Sequence, residues 1–125
     1  DRGAIDDTQI HDNVILDNHI QIAHNVIVGE GTAIAACTAI AGSTKIGKNC
    51  TIAGAVGFTV HVEICDGVHV TMRSAITRSI STPGSYSSGT AMSETREWRK
   101  NATRFRQLDR FVRRLQSLES FVKKM

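Results

Sequence analysis

Residues 20–47 read IQIAHNVIVGEGTAIAACTAIAGSTKIG, and the spacing inside this stretch decides the architecture. Ile22, Val28, Ile34, Ile40 and Ile46 recur every six residues, each followed by Ala or Gly. Two residues before each stands a second track, Ile20, Val26, Thr32, Thr38 and Thr44. The frame extends both ways through Ile10, Leu16, Ile52, Phe58, Ile64, Val70 and Ile76, so twelve bulky apolar residues keep one register. A step of six matches neither the 3.6 of a helix nor the 2 of a lone amphipathic strand. It fits short strands joined by corners that return the same side chains inward at every turn. The β-branched content favours strand, and Gly and Asn suit tight corners. The expectation is a mainly β protein, a left-handed parallel β-helix over residues 1–78. It should have about four coils, stacked about 4.8 Å apart, with the bulky residues forming one internal ladder per corner of a triangular prism.

Residues 79–92 carry Pro83-Gly84 and a run of serines, which predicts a linker loop. From Ser93 the period changes. Trp98, Ala102, Phe105, Leu108, Val112, Leu115, Leu118, Val122 and Met125 fall at steps of three and four. That reads as one or more amphipathic helices over 93–125, capped by Ser93 or Thr95 and bent or divided near Asn101 and Thr103. Such a stripe suits a coiled-coil seam between copies of the chain.

Charge separates the two halves. Residues 1–92 hold five Lys/Arg against eight Asp/Glu, net −3; residues 93–125 hold ten against four, net +6. The basic end invites an acidic partner. Its cationic face has no interleaved aromatics, which argues against nucleic acid. No run of 18 apolar residues exists to span a membrane, and no signal peptide is visible. Cys37, Cys50 and Cys65 form no CxxC pair and read as buried free thiols in a reducing compartment. The chain opens at Asp1-Arg2-Gly3 without an initiator Met and reads as a fragment of something longer.

Five histidines are the first candidates for chemistry. His24 falls two residues after Ile22, on the wall rather than in the core. His61 comes 37 residues later. Two coils cover about 36, so both should project near one vertical edge, about 10 Å apart. An imidazole takes up a proton near neutral pH and can serve as general base. A competing idea is zinc: the pair His19 and His24 resembles that of the gamma-class carbonic anhydrases. Three protein ligands are needed, and the third would fall before residue 1, so no metal is expected.

Several local words are more specific than the repeat. The opening Asp1–Thr8, Asp17-Asn18, Gln21-Ile22-Ala23-His24-Asn25, Ala41-Gly42-Ser43, His61-Val62-Glu63-Ile64-Cys65-Asp66, Pro83-Gly84-Ser85-Tyr86-Ser87-Ser88-Gly89 and Trp98-Arg99-Lys100 together resemble the UDP-3-O-acylglucosamine N-acyltransferase family of lipid A synthesis. The resemblance runs over essentially the whole chain. It implies a homotrimer in the cytoplasm, near the inner membrane, that moves a 3-hydroxyacyl group from acyl carrier protein to the 2-amine of a UDP-sugar lipid precursor. No cofactor is implied beyond the carrier's phosphopantetheine arm. In that pattern His24 is the general base, His61 a second active-site histidine and the Gly42 N–H an oxyanion donor. Asp17, Asn18, Gln21 and Asn25 surround base and substrate. Arg78, Arg99 and Lys100 belong to the carrier-binding surface.

Departures stand at Val60, where the family usually has Gly, and at Met72–Ala75, where Ala75 replaces a Met that measures acyl length. The family's uridine-gripping N-terminal domain is absent from this chain. Two alternatives stay open: a hexapeptide acyl- or acetyltransferase using CoA, and a non-catalytic trimeric module.

Overall fold

The structure, a computed structural model, describes residues 7–125. Asp1 to Asp6, the first residues of the expected solenoid and of the family-like opening, lie outside them. The chain forms two compact units that divide between Gly89 and Thr90.

The first unit is a parallel β-solenoid. Its first coil holds strands β1 (Gln9–Ile10), β2 (Ile15–Leu16) and β3 (Gln21–Ile22). The second holds β4 (Ile27–Val28), β5 (Ala33–Ile34) and β6 (Ala39–Ile40), the third β7 (Lys45–Ile46), β8 (Thr51–Ile52) and β9 (Gly57–Phe58). The fourth holds β10 (Glu63–Ile64), β11 (Val68–Val70) and β12 (Ala75–Ile76). Each strand pairs in parallel with the strand eighteen residues on, giving three sheets: β1-β4-β7-β10, β2-β5-β8-β11 and β3-β6-β9-β12. The bulky residue is the second of each two-residue strand, so the ladders climb the flat sheets and not the corners as expected. Val28, Ile46 and Ile64 form one ladder, Ile34, Ile52 and Val70 another, Ile40, Phe58 and Ile76 the third, all buried. Each such side chain contributes about 1.5–3 kcal/mol through burial.

The corners have one conformational rule. Every sixth residue from Asn13 to Arg73 adopts a positive φ of 55–75°, including Asn25, Cys37, Ser43, Ala55 and His61. This left-handed turn redirects the chain onto the next sheet. Only Gly31 and Gly67 among these corners are glycine. The others accept about 1–2 kcal/mol of backbone cost, offset by the stacked coils around them.

The second track solves a polar problem inside the prism. Thr32, Thr38 and Thr44 are fully buried. Thr38 Oγ1 donates to Ala53 O (3.1 Å) and accepts the Val56 N–H (3.2 Å), and Thr32 does the same for Gly47 O and the Cys50 N–H. Each hydroxyl thus stitches one coil to the next. Thr38→Val keeps the shape and leaves a buried carbonyl and N–H unpaired, each costing about 1–3 kcal/mol. A loss of about 2–6 kcal/mol in denaturant titrations is expected, and an unchanged midpoint would rule the stitch out as a source of stability.

The three thiols differ. Cys50 is buried, Cys65 half-buried and Cys37 exposed, so burial of all three does not hold. Desolvation by burial pushes the Cys50 thiol up.

Residues 79–92 do more than link. Ile80 is buried and bridges Ile64, and β13 (Gly84–Tyr86) adds a fifth strand to the second sheet beside β11. Ser88 Oγ accepts the Ala75 N–H at the open edge of β12 (2.7 Å). Hydroxyls and one short strand therefore finish the sheet edges of the last coil, which would otherwise template further pairing.

The second unit comprises α1 (Thr95–Arg106) and α2 (Leu108–Lys123). Glu94, not Ser93 or Thr95, caps α1, its carboxylate accepting the Arg96 N–H. The division falls at Gln107 (φ −103°, ψ 7°) rather than at Asn101 or Thr103. Thr103 lies within α1, its hydroxyl donating to Arg99 O (3.0 Å). The apolar stripe is exposed along its length and includes Phe111 and Phe121 in addition to the residues read from periodicity.

Candidate active site at the third corner

The corner between the third and first sheets carries two files of residues, each climbing one coil per eighteen residues. One is His24, Gly42 and Val60; the other, one residue later, is Asn25, Ser43 and His61. His24 and His61 therefore stand in adjacent files, two coils apart. The extra residue in their spacing of 37 is the shift from one file to the other.

His24 and Gly42 form a close pair. A Cβ on residue 42 would lie 2.7 Å from both Cε1 and Nε2 of His24. The imidazole thus rests on the glycine, occupying the space a side chain would need, and Gly42 is buried while His24 stays exposed. The coils around them are tied by Ser43 N–H to His24 O (2.9 Å) and His61 N–H to Gly42 O (3.1 Å). Among the described residues no hydrogen bond takes the Gly42 N–H or the His24 ring. An exposed imidazole and a backbone N–H without a hydrogen bond thus share one corner.

The other sequence candidates are dispersed. Asn25 follows His24 directly, and its Oδ1 is buried without a hydrogen-bond partner. Gln21 opens β3 and lines a groove of about 440 Å³ on the third sheet, floored by Ala39, Gly57 and Ala75. Asp17 and Asn18 sit at the opposite end of that sheet, at the second corner, where Asp17 Oδ1 accepts the Asn18 N–H (2.7 Å). His19 is also at that corner, so the chain does not gather the zinc pair, and no group of three or more candidate metal ligands occurs among the described residues. Arg78 lies where the eighteen-residue ruler stops: Ile76 pairs with Phe58 at eighteen, while Ile80 bridges Ile64 at sixteen. Arg99 and Lys100 are exposed on α1. Val60 is 57% exposed, a wall residue and not core.

Periodicity alone did not single out Ser43 or Lys45. Both line, with Asn25, His61 and Glu63, an open polar groove of about 550 Å³ on the first sheet. Counting eighteen from Asn25 finds Ser43 and then His61, so the signal existed once the corner files were known.

No helix among the described residues is long and apolar enough to cross a membrane. The bacterial transferase hexapeptide (six repeats) family matches residues 7–42. UDP-3-O-acylglucosamine N-acyltransferase of Hahella chejuensis is 55% identical over 119 residues, 95% of this chain and 34% of that protein. Proteins of the same name from Pseudomonas savastanoi pv. phaseolicola and Pseudomonas aeruginosa are 59% and 60% identical over 98% and 95% of this chain, and 35% and 34% of their own lengths. The chain spans about a third of the length of the curated relatives it matches. Over nearly every residue, and on a solenoid of hexapeptide repeats, the chain is thus similar to about a third of the length of these UDP-3-O-acylglucosamine N-acyltransferases.

Proposed function

We propose that this chain supplies the acyl-transfer centre of an enzyme that N-acylates UDP-3-O-acylglucosamine for lipid A. The His24 imidazole seated on Gly42, with an unclaimed N–H beneath it, carries the reading. His24 removes a proton from the 2-amine, and the amine nitrogen attacks the thioester carbonyl of a 3-hydroxyacyl carrier protein. The carbonyl oxygen becomes an oxyanion and is held by the Gly42 N–H. Collapse expels the phosphopantetheine thiolate, which takes the proton back from His24. The new amide stays on the sugar, and no cofactor enters beyond the carrier's arm. His61, in the neighbouring file, is the second histidine of the site.

Asp17 and Asn18 stand at a different corner from His24. They serve the same reaction if a neighbouring copy presents its second corner to the third, which supports a homotrimer. The helices support it too. Leu108, Phe111, Leu115, Leu118 and Val122 alternate at steps of three and four, a heptad seam. In a parallel in-register coil, Arg114 and the Glu119 of a neighbour occupy facing flank positions of opposite charge. Leu115→Asp should shift the chain from trimer toward monomer in sedimentation at micromolar concentration; an unchanged trimer would remove the seam from this reading.

The +6 end suits acyl carrier protein, and Arg78, Arg99 and Lys100 are its assigned contacts. The working location is the cytoplasm beside the inner membrane. Ala75 leaves the groove on the third sheet open where a larger side chain would shorten it. The test is a transfer assay with a full-length relative carrying this chain's residues, offering 3-hydroxyacyl carrier protein or the matching acyl-CoA. N-acylated product from the carrier donor is expected. Product from CoA alone favours the CoA-dependent alternative, and none from either donor defeats the proposal.

A further inference from the structure

Past the first coil, the solenoid exposes two large apolar side chains, Val60 and Met72. Val60 stands in the file of His24 and Gly42, one coil beyond the glycine and about 4.8 Å further along the axis. It immediately precedes the left-handed corner residue His61. Every other residue that precedes a left-handed corner residue is polar, Gly, Ala or Met, so Val60 is the branched apolar exception. Core packing does not account for it, because its side chain lies on the wall. An isopropyl group facing water contributes nothing until something apolar covers it.

Its neighbours define what can cover it. The His24 imidazole rests against Gly42 from one coil, and Val60 follows on the next. Gly42 puts no side chain between them, so the corner holds a slot of imidazole, bare backbone and isopropyl group. The last coil adds charge. Ile76 pairs with Phe58 and Ile80 bridges Ile64, so residues 77–79 cross this corner over Val60 and carry Arg78. One edge thus orders an imidazole, an N–H without a hydrogen bond, an apolar wall and a cation. A carrier-bound acyl donor has the matching order: a carbonyl oxygen that takes an N–H, a sulfur beside methylenes, and an arm ending in a phosphate. A sugar ring edged with hydroxyls gives a bare isopropyl group little to bury.

We propose that Val60 is a specificity-determining residue for the acyl donor: its isopropyl group packs on the methylenes beside the thioester sulfur, and the donor's arm leaves past Arg78. The inference rests on the acyl-transfer reading and deepens it, giving the wall above Gly42 to the donor.

The test has two arms. In a full-length relative carrying this chain's residues, Val60→Gly should raise the KM for 3-hydroxyacyl carrier protein about fivefold, the effect of uncovering one small apolar contact. Val60→Ala should fall between it and the parent. The KM for the acceptor and turnover at saturating donor should hold in both. In the 125-residue chain, a 3-hydroxyacyl thioester of phosphopantetheine should shift the Val60 methyl signals in the NMR spectrum, with Thr51 and His69 on the second sheet unmoved. An unchanged donor KM, a change in the acceptor KM instead, or no shift at Val60 would overturn the assignment. So would dissociation of the oligomer in Val60→Ala, the mark of a residue covered by a second copy. The two readings fail separately. If the thioester moves Val60 and the relative never transfers its acyl group, acyl transfer is lost and the contact stands. If transfer is measured and Val60→Gly keeps the parent's donor KM, the contact is lost and acyl transfer stands.

Discussion

Replacing His24 with alanine, in a full-length relative carrying this chain's residues, is expected to lower the proposed N-acyl transfer by about 10²–10⁴-fold, the usual contribution of a general base. The fold should be indifferent. The ring is exposed and makes no hydrogen bond among the described residues, so its removal strands no buried group. Melting temperature and oligomeric state should therefore match the parent. The acceptor amine must be neutral to attack, so raising the pH should recover part of the loss by supplying free amine from solution. Turnover within a few-fold of the parent would show that another group takes the proton.

Gly42→Ala should cost about 10²-fold in turnover by a different route. The added methyl would sit 2.7 Å from Cε1 and Nε2 of His24, closer than real Cβ contacts allow. The imidazole is the mobile partner and can swing outward, so the solenoid survives. The base is then displaced by about 1 Å, a misplacement that can cost about 10²-fold. The His24 ring resonances should shift in the NMR spectrum while the core signals of Ile46 and Val56 stay. Gly54→Ala is the control: its Cβ would meet nothing nearer than Ala36 O at 3.4 Å, and activity should persist. Normal turnover in Gly42→Ala would show that the ring's seat on the glycine does not matter to catalysis.

The repeat of six was legible because each coil buries the same positions. Apolar burial writes itself into sequence as periodicity, and Ile34, Ile40 and Ile46 could not be exchanged for polar residues without opening the prism. The amphipathic tail was legible from its steps of three and four, although its apolar stripe is exposed. The features misplaced were those set by hydrogen bonds and local geometry. The cap at Glu94 and the break at Gln107 depend on which carboxylate meets an orphan N–H and where one φ/ψ pair leaves the helix, and several residues nearby could have served. The strand Gly84–Tyr86 is non-repetitive, and pairs only because β11 presents an open edge.

The site divides along the same line. Sequence by itself determined the six-residue solenoid, the basic helical end and the histidines as candidates, because residue type and spacing suffice for those; Gly42 entered only through the family resemblance. Tertiary structure alone decided that His24 rests on Gly42, that His61 belongs with Ser43 and Asn25, and that Asp17 and Asn18 stand at another corner. The reason is the corner itself. A two-residue turn carries one side chain to each of two files, so the single residue left over when 37 is counted in eighteens selects the groove a side chain faces, and only the turn's geometry gives that remainder its meaning.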